Sequence, residues 1–216
     1  MRKKIVIVDY GIGNLQSVAQ VFAHLNNPVS ISSNNKEIMS ADALVLPGVG
    51  AFGHAMNNLK ELNLDKSILE FVQTGKSLMG ICLGFQLLFS ESEEFGNHKG
   101  LDIIKGKVLK FTNNNGLDLG IKIPQVGWNK IYKPVISVDN WNKSPLREIQ
   151  NMDYMYFVHS YYVEPEITNE ILTLTQYGGK EYCSSILKDN IFAVQFHPEK
   201  SAWQGIRIYK NWIETI

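Results

Sequence analysis

Cysteine is scarce in this chain. Cys82 and Cys183 are the only two in 216 residues, too few for a disulfide framework, so a reducing compartment, the cytoplasm, is the expectation. No sign of charge is in excess either. Lys+Arg and Asp+Glu each number 21 and no long single-sign run occurs, which points away from nucleic acid and from anionic membranes as partners. Long hydrophobic runs are also missing. Met1-Arg2-Lys3-Lys4 leads into only Ile5-Val6-Ile7-Val8 before Asp9, too short for the apolar stretch of a signal peptide, and no span reaches transmembrane length. The five His and two Cys are scattered without ligand spacing, and there is no Walker A motif. Gly11-Ile12-Gly13-Asn14 lacks the third glycine of a dinucleotide fingerprint and reads as a turn. Neither a metal nor a cofactor is expected.

What the chain does contain is ordinary globular material, 44% hydrophobic and 19% charged. At this length one domain over residues 1–216 is expected, burying roughly 70–75% of its unfolded surface. The first half alternates short apolar runs with helical patterns: Ile5 to Val8 then Leu15 to Leu25, Ala43 to Leu46 then Ala55 to Leu62 and Ile68 to Val72, Leu78 to Cys82 then Phe85 to Phe89. That order predicts an α/β fold whose parallel sheet is covered on both faces. Asp9 to Asn14, Pro47-Gly48-Val49-Gly50 and Gly80-Ile81-Cys82-Leu83-Gly84 fall at the carboxyl ends of those strands, where open α/β sheets bind ligands. From about Ile103 to Val194 shorter alternating stretches predict antiparallel or mixed strands, with turns at Asn113-Asn114-Asn115-Gly116 and Tyr177-Gly178-Gly179-Lys180. A closing helix is expected from Ser201 to Ile216, with Ser201 as its cap. No repeat or interdomain linker is evident.

Cys82 occupies a strand-to-helix turn flanked by glycines. A nucleophile on such a bend has its crowding relieved, the next N–H can face an oxyanion, and a helix N-terminus behind it favours the thiolate. Cys183 lies in a strand-like run without flanking glycine and reads as a small core residue. A lone Gly-x-Cys-x-Gly is equally compatible with an inert buried cysteine; its partners decide. Near the other end, Gln195-Phe196-His197-Pro198-Glu199 offers a base after an apolar strand and a carboxylate two residues on that can hold the imidazole in a useful tautomer.

Gly-Ile-Cys82-Leu-Gly-Phe-Gln together with Gln-Phe-His197-Pro-Glu199 resembles the class I glutamine amidotransferases and their Cys-His-Glu triad. Asp9 to Leu15, Pro47 to Gly53, Gly127-Trp128-Asn129 and Phe157 to Tyr162 are similar, within that superfamily, to the glutaminase subunits of imidazole glycerol phosphate synthases, nearly end to end. The resemblance implies a flavodoxin-like fold with an added antiparallel region, and hydrolysis of L-glutamine to glutamate. It implies a heterodimer in which ammonia passes to a (β/α)8-barrel cyclase for histidine synthesis. It assigns Cys82 as nucleophile, His197 as acid–base and Glu199 as orienter. Leu83 and Val49 or Gly50 become oxyanion donors, and the peptide between Gly48 and Gly50 is expected to flip with the partner's state. Gln86, Glu94, Ser160 and Tyr161 become glutamine-binding residues, although on the residues alone Glu91-Ser92-Glu93-Glu94 reads as a solvated acidic face.

Gln125 stands where the family often has His, and His54 where Asp is usual. With Glu94 to Gly100 these lean toward paralogues that supply ammonia for sugar amidines in surface-polysaccharide synthesis, the alternative reading. A scaffolding subunit without catalysis conflicts with the presence of Cys82, His197 and Glu199. A free-standing γ-glutamyl hydrolase would be active alone, whereas an ammonia donor should be nearly idle without its partner.

Overall fold

The computed structural model describes residues 3–112, 122–135 and 140–216; the turn expected at Asn113 to Gly116 lies outside them. The first half follows the expected alternation: β1 Ile5–Val8, α1 Leu15–His24, β2 Ser30–Ser32, α2 Asn35–Ser40, β3 Ala43–Leu46, α3 Phe52–Glu61, α4 Leu64–Gln73, β4 Ser77–Ile81 and α5 Leu83–Leu87. Then come β5 Phe89–Ser92, β6 His98–Lys99, β7 Ile104–Lys110, β8 Gln125–Lys130, β9 Tyr154–His159 and β10 Tyr161–Pro165. The chain ends with β11 Ile171–Tyr177, β12 Lys180–Lys188, β13 Ile191–Val194 and α6 Ala202–Ile213. Among the described residues no helix is long and apolar enough to cross a membrane.

An 11-stranded sheet runs β2-β1-β3-β4-β13-β12-β10-β7-β5-β6, with β11 on β12, and β8 and β9 form a separate ribbon. The β2-β1-β3-β4-β13 block is parallel throughout. β1, β3, β4 and β13 are buried on both faces, and alternation divides their side chains between two cores. Val6, Val8, Leu44 and Leu46 pack with α2, α3, α4 and α5 on one face. Ile5, Ile7, Ala43 and Val45 pack with α1 and α6 on the other. There Phe22 meets Tyr209 and Trp212 edge-on at 5.1 and 6.1 Å. Each such buried ring contributes roughly 1.5–3 kcal/mol, and together they anchor α6 directly behind the His197 loop. The antiparallel half closes with a two-residue turn at Gly178-Gly179, whose positive φ values of 58° and 76° suit glycine.

Two expectations are corrected, and two elements are additions. The helix after Cys82 ends at Leu87, and Phe89 begins β5. The Leu87 carbonyl accepts from Leu101 N–H at 2.9 Å, and that of Leu88 from Ile103 and Ile104 N–H at 2.9 Å each, so the helical carbonyls are diverted into the sheet. Ser201 does not cap α6 with its side chain; its hydroxyl accepts from Tyr156 N–H at 3.0 Å and donates to the His197 carbonyl at 2.7 Å. Finally, β2 and α2 went unforeseen. β2 is three residues with two serines, and the start of α2 is fixed by Asn34, whose Oδ1 accepts from Lys36 and Glu37 N–H at 2.9 and 3.3 Å.

Candidate active site

β4 and β13 are parallel neighbours with Ile81 registered against Val194. The residues just beyond those ends, Cys82 and Gln195, therefore lie side by side, and Cys82 N–H donates to the Val194 carbonyl at 2.8 Å. Cys82 adopts φ +53°, ψ −110°, a conformation that costs a non-glycine residue roughly 1–3 kcal/mol. The bend is held by close backbone packing. A Cβ on Gly84 would stand 1.8 Å from the Leu46 carbonyl oxygen, and one on Gly48 would stand 2.3 Å from the Tyr10 hydroxyl. That hydroxyl donates to the Pro47 carbonyl at 2.7 Å. With α5 only five residues long, its dipole gives a thiolate less support than the sequence suggested.

Past β13 the chain bends at Gln195 and Phe196 before reaching His197. His197 N–H donates to the Tyr156 carbonyl at 2.8 Å, and the Ser201 hydroxyl holds the His197 carbonyl from the other side. The imidazole Nδ1 lies 2.8 Å from Glu199 Oε1, both side chains almost fully buried. A carboxylate only accepts, so Nδ1 carries the hydrogen. Nε2, buried and without a hydrogen-bond partner, remains as the nitrogen available to Cys82. Burial alone would depress this imidazole, but Cys82 and then Glu199 outweigh it and hold its pKa at about 10. The upward pull of Cys82 acts only when its sulfur is ionised, so an imidazolium here belongs with a thiolate as one coupled pair.

A cavity of about 410 Å³ opens over Cys82. Val49, Gly50, Leu83, Gln86, Glu94, Ser160 and Tyr161 all border it, so the residues expected to hold glutamine and its oxyanion share one space. Their bonding differs from expectation in three places. Leu83 N–H is already engaged by the Gly48 carbonyl at 3.4 Å. Because a trans peptide points its C=O and N–H in opposite directions, the Val49 N–H is then turned away from Leu83. Gln86 has its NH₂ group committed to the Tyr161 carbonyl at 3.0 Å and to Gln195 Oε1 at 2.9 Å, which leaves its oxygen for a ligand. Glu94 is no solvated acid: it is 9% exposed and accepts from Phe52 N–H at the start of α3 at 2.6 Å. Burial raises its carboxyl above the usual range, against the opposing pull of Phe52 N–H and His98.

His159 and Lys200 also line the cavity and went unread in the sequence. His159 is buried; its Nδ1 is 2.7 Å from the Tyr161 carbonyl and its Nε2 3.2 Å from the Tyr182 hydroxyl. Burial pushes it down to about 4, with the Tyr161 carbonyl opposing and His197 adding to the fall, so it is neutral at neutral pH. The Tyr182 hydroxyl, whose single hydrogen the bare Nε2 of a neutral His159 requires, also lies 3.0 Å from the Gln125 side-chain amide. The departure at Gln125 is thus tied to the same buried polar cluster, whereas His54 is exposed on α3. Cys183 is buried in β12, its thiol donating to the Ser185 carbonyl at 3.4 Å, and burial raises its pKa far above the ordinary thiol range. Among the described residues no group of three or more His, Cys, Asp or Glu could hold a metal ion.

The family model for glutamine amidotransferase class-I matches residues 6–215. The chain belongs to the class-I glutamine amidotransferases. Among curated members, it is 46% identical over 211 residues to the imidazole glycerol phosphate synthase subunit HisH of Chlorobaculum tepidum, covering 97% of this chain and 99% of that one. It is also 46% identical to subunit HisH of Aquifex aeolicus, covering 96% and 94%, and 42% identical to subunit HisH 1 of Legionella pneumophila strain Paris, covering 96% and 97%. Solved structures of lower identity show the amidotransferase fold. A chain of PurLQS from Thermotoga maritima superposes with TM-score 0.70 at 15% identity, covering 100% of this chain and 99% of that one. A glutamine amidotransferase from the same organism gives 0.64 at 16%, covering 100% and 82%.

Proposed function

We propose that this chain is the glutaminase subunit of an imidazole glycerol phosphate synthase, one amidotransferase unit over its whole length, acting in the cytoplasm as a heterodimer with a (β/α)8-barrel cyclase. The observation that carries this reading is the 46% identity to a HisH subunit over 97% of the chain and 99% of that relative; Cys82 on the cavity wall and the His197–Glu199 pair, 2.8 Å apart, support it. The quoted curated relatives bear the synthase name, which weighs against the surface-polysaccharide alternative.

In this reading the Cys82 thiolate attacks the side-chain amide carbon of glutamine. His197 Nε2–H then protonates the amide nitrogen, the C–N bond breaks, and ammonia leaves a γ-glutamyl thioester on Cys82. Water, giving its proton to the now neutral Nε2, adds to the thioester, and glutamate departs as the thiolate is restored. Glu199 keeps Nδ1–H in place throughout. Glu94 and the Gln86 oxygen supply acceptors suited to an α-ammonium group, with Ser160 and Tyr161 on the rim beside them. Nitrogen delivered to the barrel joins a phosphoribulosyl formimino nucleotide, giving imidazole glycerol phosphate and an aminoimidazole carboxamide ribotide.

The oxyanion site is incomplete as it stands, since Leu83 N–H is occupied by the Gly48 carbonyl. A half-turn of the Gly48–Val49 peptide would release Leu83 N–H and bring Val49 N–H inward, supplying two donors at once. Gly50, at φ +99°, lets the chain accommodate that turn. The ribbon supports a partner at this end. Val126, Trp128 and Tyr154 are exposed on one face of β8–β9, and that face reaches the cavity mouth through Val158 and Lys200, whose ammonium sits 5.8 Å over the Tyr156 ring. Glutamate release from glutamine, measured for the chain alone and then with the cyclase subunit and its nucleotide, should rise by roughly 100-fold, toward the top of common coupling strengths. Equal release in both conditions would instead favour a free-standing hydrolase.

A further inference from the structure

Resting on that reading of Cys82 as nucleophile, we infer that Gln195 is a further catalytic residue, whose side-chain amide N–H donates to the Cys82 sulfur and stabilises it as thiolate. Gln195 is fully buried, and its Nε2 lies 3.7 Å from Cys82 Sγ. Which end of an amide faces a neighbour is often ambiguous, but here the surrounding bonds fix it. The Tyr161 carbonyl can only accept, so Gln86 must turn its NH₂ group toward it. The second hydrogen of that NH₂ reaches Gln195, which must therefore offer its oxygen, at 2.9 Å. The NH₂ of Gln195 is then the end left for the sulfur. The anchor is itself secured, because the same Tyr161 carbonyl receives His159 Nδ1–H and His159 is neutral at working pH.

This arrangement answers the shortfall left by α5. A five-residue helix offers little field, so the Gln195 amide, opposed by the Val158 carbonyl 3.8 Å from the same sulfur, is the side-chain donor in place on Cys82. A donor to sulfur lowers the barrier twice. It favours the attacking thiolate, and it favours the same thiolate as leaving group when water opens the thioester. Gln86 acts at one remove as a positioning residue, since it dictates the orientation of Gln195. Gln195 went unread in the sequence because its place beside Cys82 depends on the pairing of β13 with β4.

The test uses the assembled complex and three variants, Gln195→Leu, Gln195→Glu and Cys82→Ala. Alkylation of Cys82 by iodoacetamide at neutral pH, followed by peptide mass spectrometry, should slow about 10-fold in Gln195→Leu and more in Gln195→Glu, which keeps an acceptor for Gln86 but turns an oxygen toward the sulfur. Thiolate ultraviolet absorbance should fall in parallel, and glutaminase activity should drop roughly 10- to 100-fold, the range for losing a hydrogen bond to a charged group. Circular dichroism and ammonia-dependent synthesis should be retained, which separates loss of the donor from loss of fold. Unchanged alkylation and absorbance in both Gln195 variants, with Cys82→Ala inactive on glutamine, would overturn this role alone. Full glutaminase activity in Cys82→Ala would overturn the underlying reading.

Discussion

Cys82→Ala is expected to lower glutamine-dependent synthesis by the complex roughly 10⁴- to 10⁶-fold, the scale on which removal of a nucleophile from an integrated triad acts. Synthesis driven by free ammonium should persist near the wild-type rate. In the proposed division of labour the two halves separate because Cys82 would touch only the amide-cleaving step, while the ammonia acceptor would belong to the partner. The substitution removes one sulfur from a cavity wall and asks nothing new of the backbone beyond the positive φ already present. Parallel assays with glutamine and with ammonium salts check this. Loss of both activities in a folded complex would mean that the division of labour is wrong.

Gly84→Ala is expected to cost the fold roughly 3 kcal/mol or more, at or beyond the upper end of overpacking effects. The added Cβ would lie 1.8 Å from the Leu46 carbonyl oxygen and 2.7 Å from its carbon, and neither is a side-chain tip that can swing aside. Relief requires α5 to move off the end of β3, carrying the Cys82 bend with it, so glutaminase activity should fall by a further 10²-fold or so from misplacement of the nucleophile. Gly75→Ala is the control. It too has positive φ, 77°, but nothing stands within 4 Å, so only backbone strain of about 1 kcal/mol is expected. Urea unfolding of the two variants beside wild type measures the difference. Equal midpoints would show that the contact at Gly84 is easily relaxed.

The parallel half of the fold was legible because its strands are short apolar runs stopped by glycine, and because its longer helices carry a clear apolar stripe. The end of α5 was not. Phe85, Leu88 and Phe89 fit a helix as well as a strand, and only the pull of Leu101, Ile103 and Ile104 on the Leu87 and Leu88 carbonyls decides between them. Ser201 misled for a related reason. Its place before a helix suggests a cap, but the His197 loop competes for the same hydroxyl and wins. In the site, Cys82, His197 and Glu199 stood out by residue type and spacing, whereas Gln195, His159 and the burial of Glu94 depend on pairing between strands far apart in sequence. No local pattern states that the N–H of Leu83, the proposed oxyanion donor, is occupied by the Gly48 carbonyl. That is a property of the conformation rather than of the residues.

The most direct test of the central claim is to trap the γ-glutamyl intermediate by acid quench of the glutamine-fed complex and to locate it by mass spectrometry. The account predicts one γ-glutamyl group on Cys82, none on Cys183, and none in Cys82→Ala. A γ-glutamyl group found on another residue, or glutamate release continuing in Cys82→Ala with nothing attached to the chain, would contradict it.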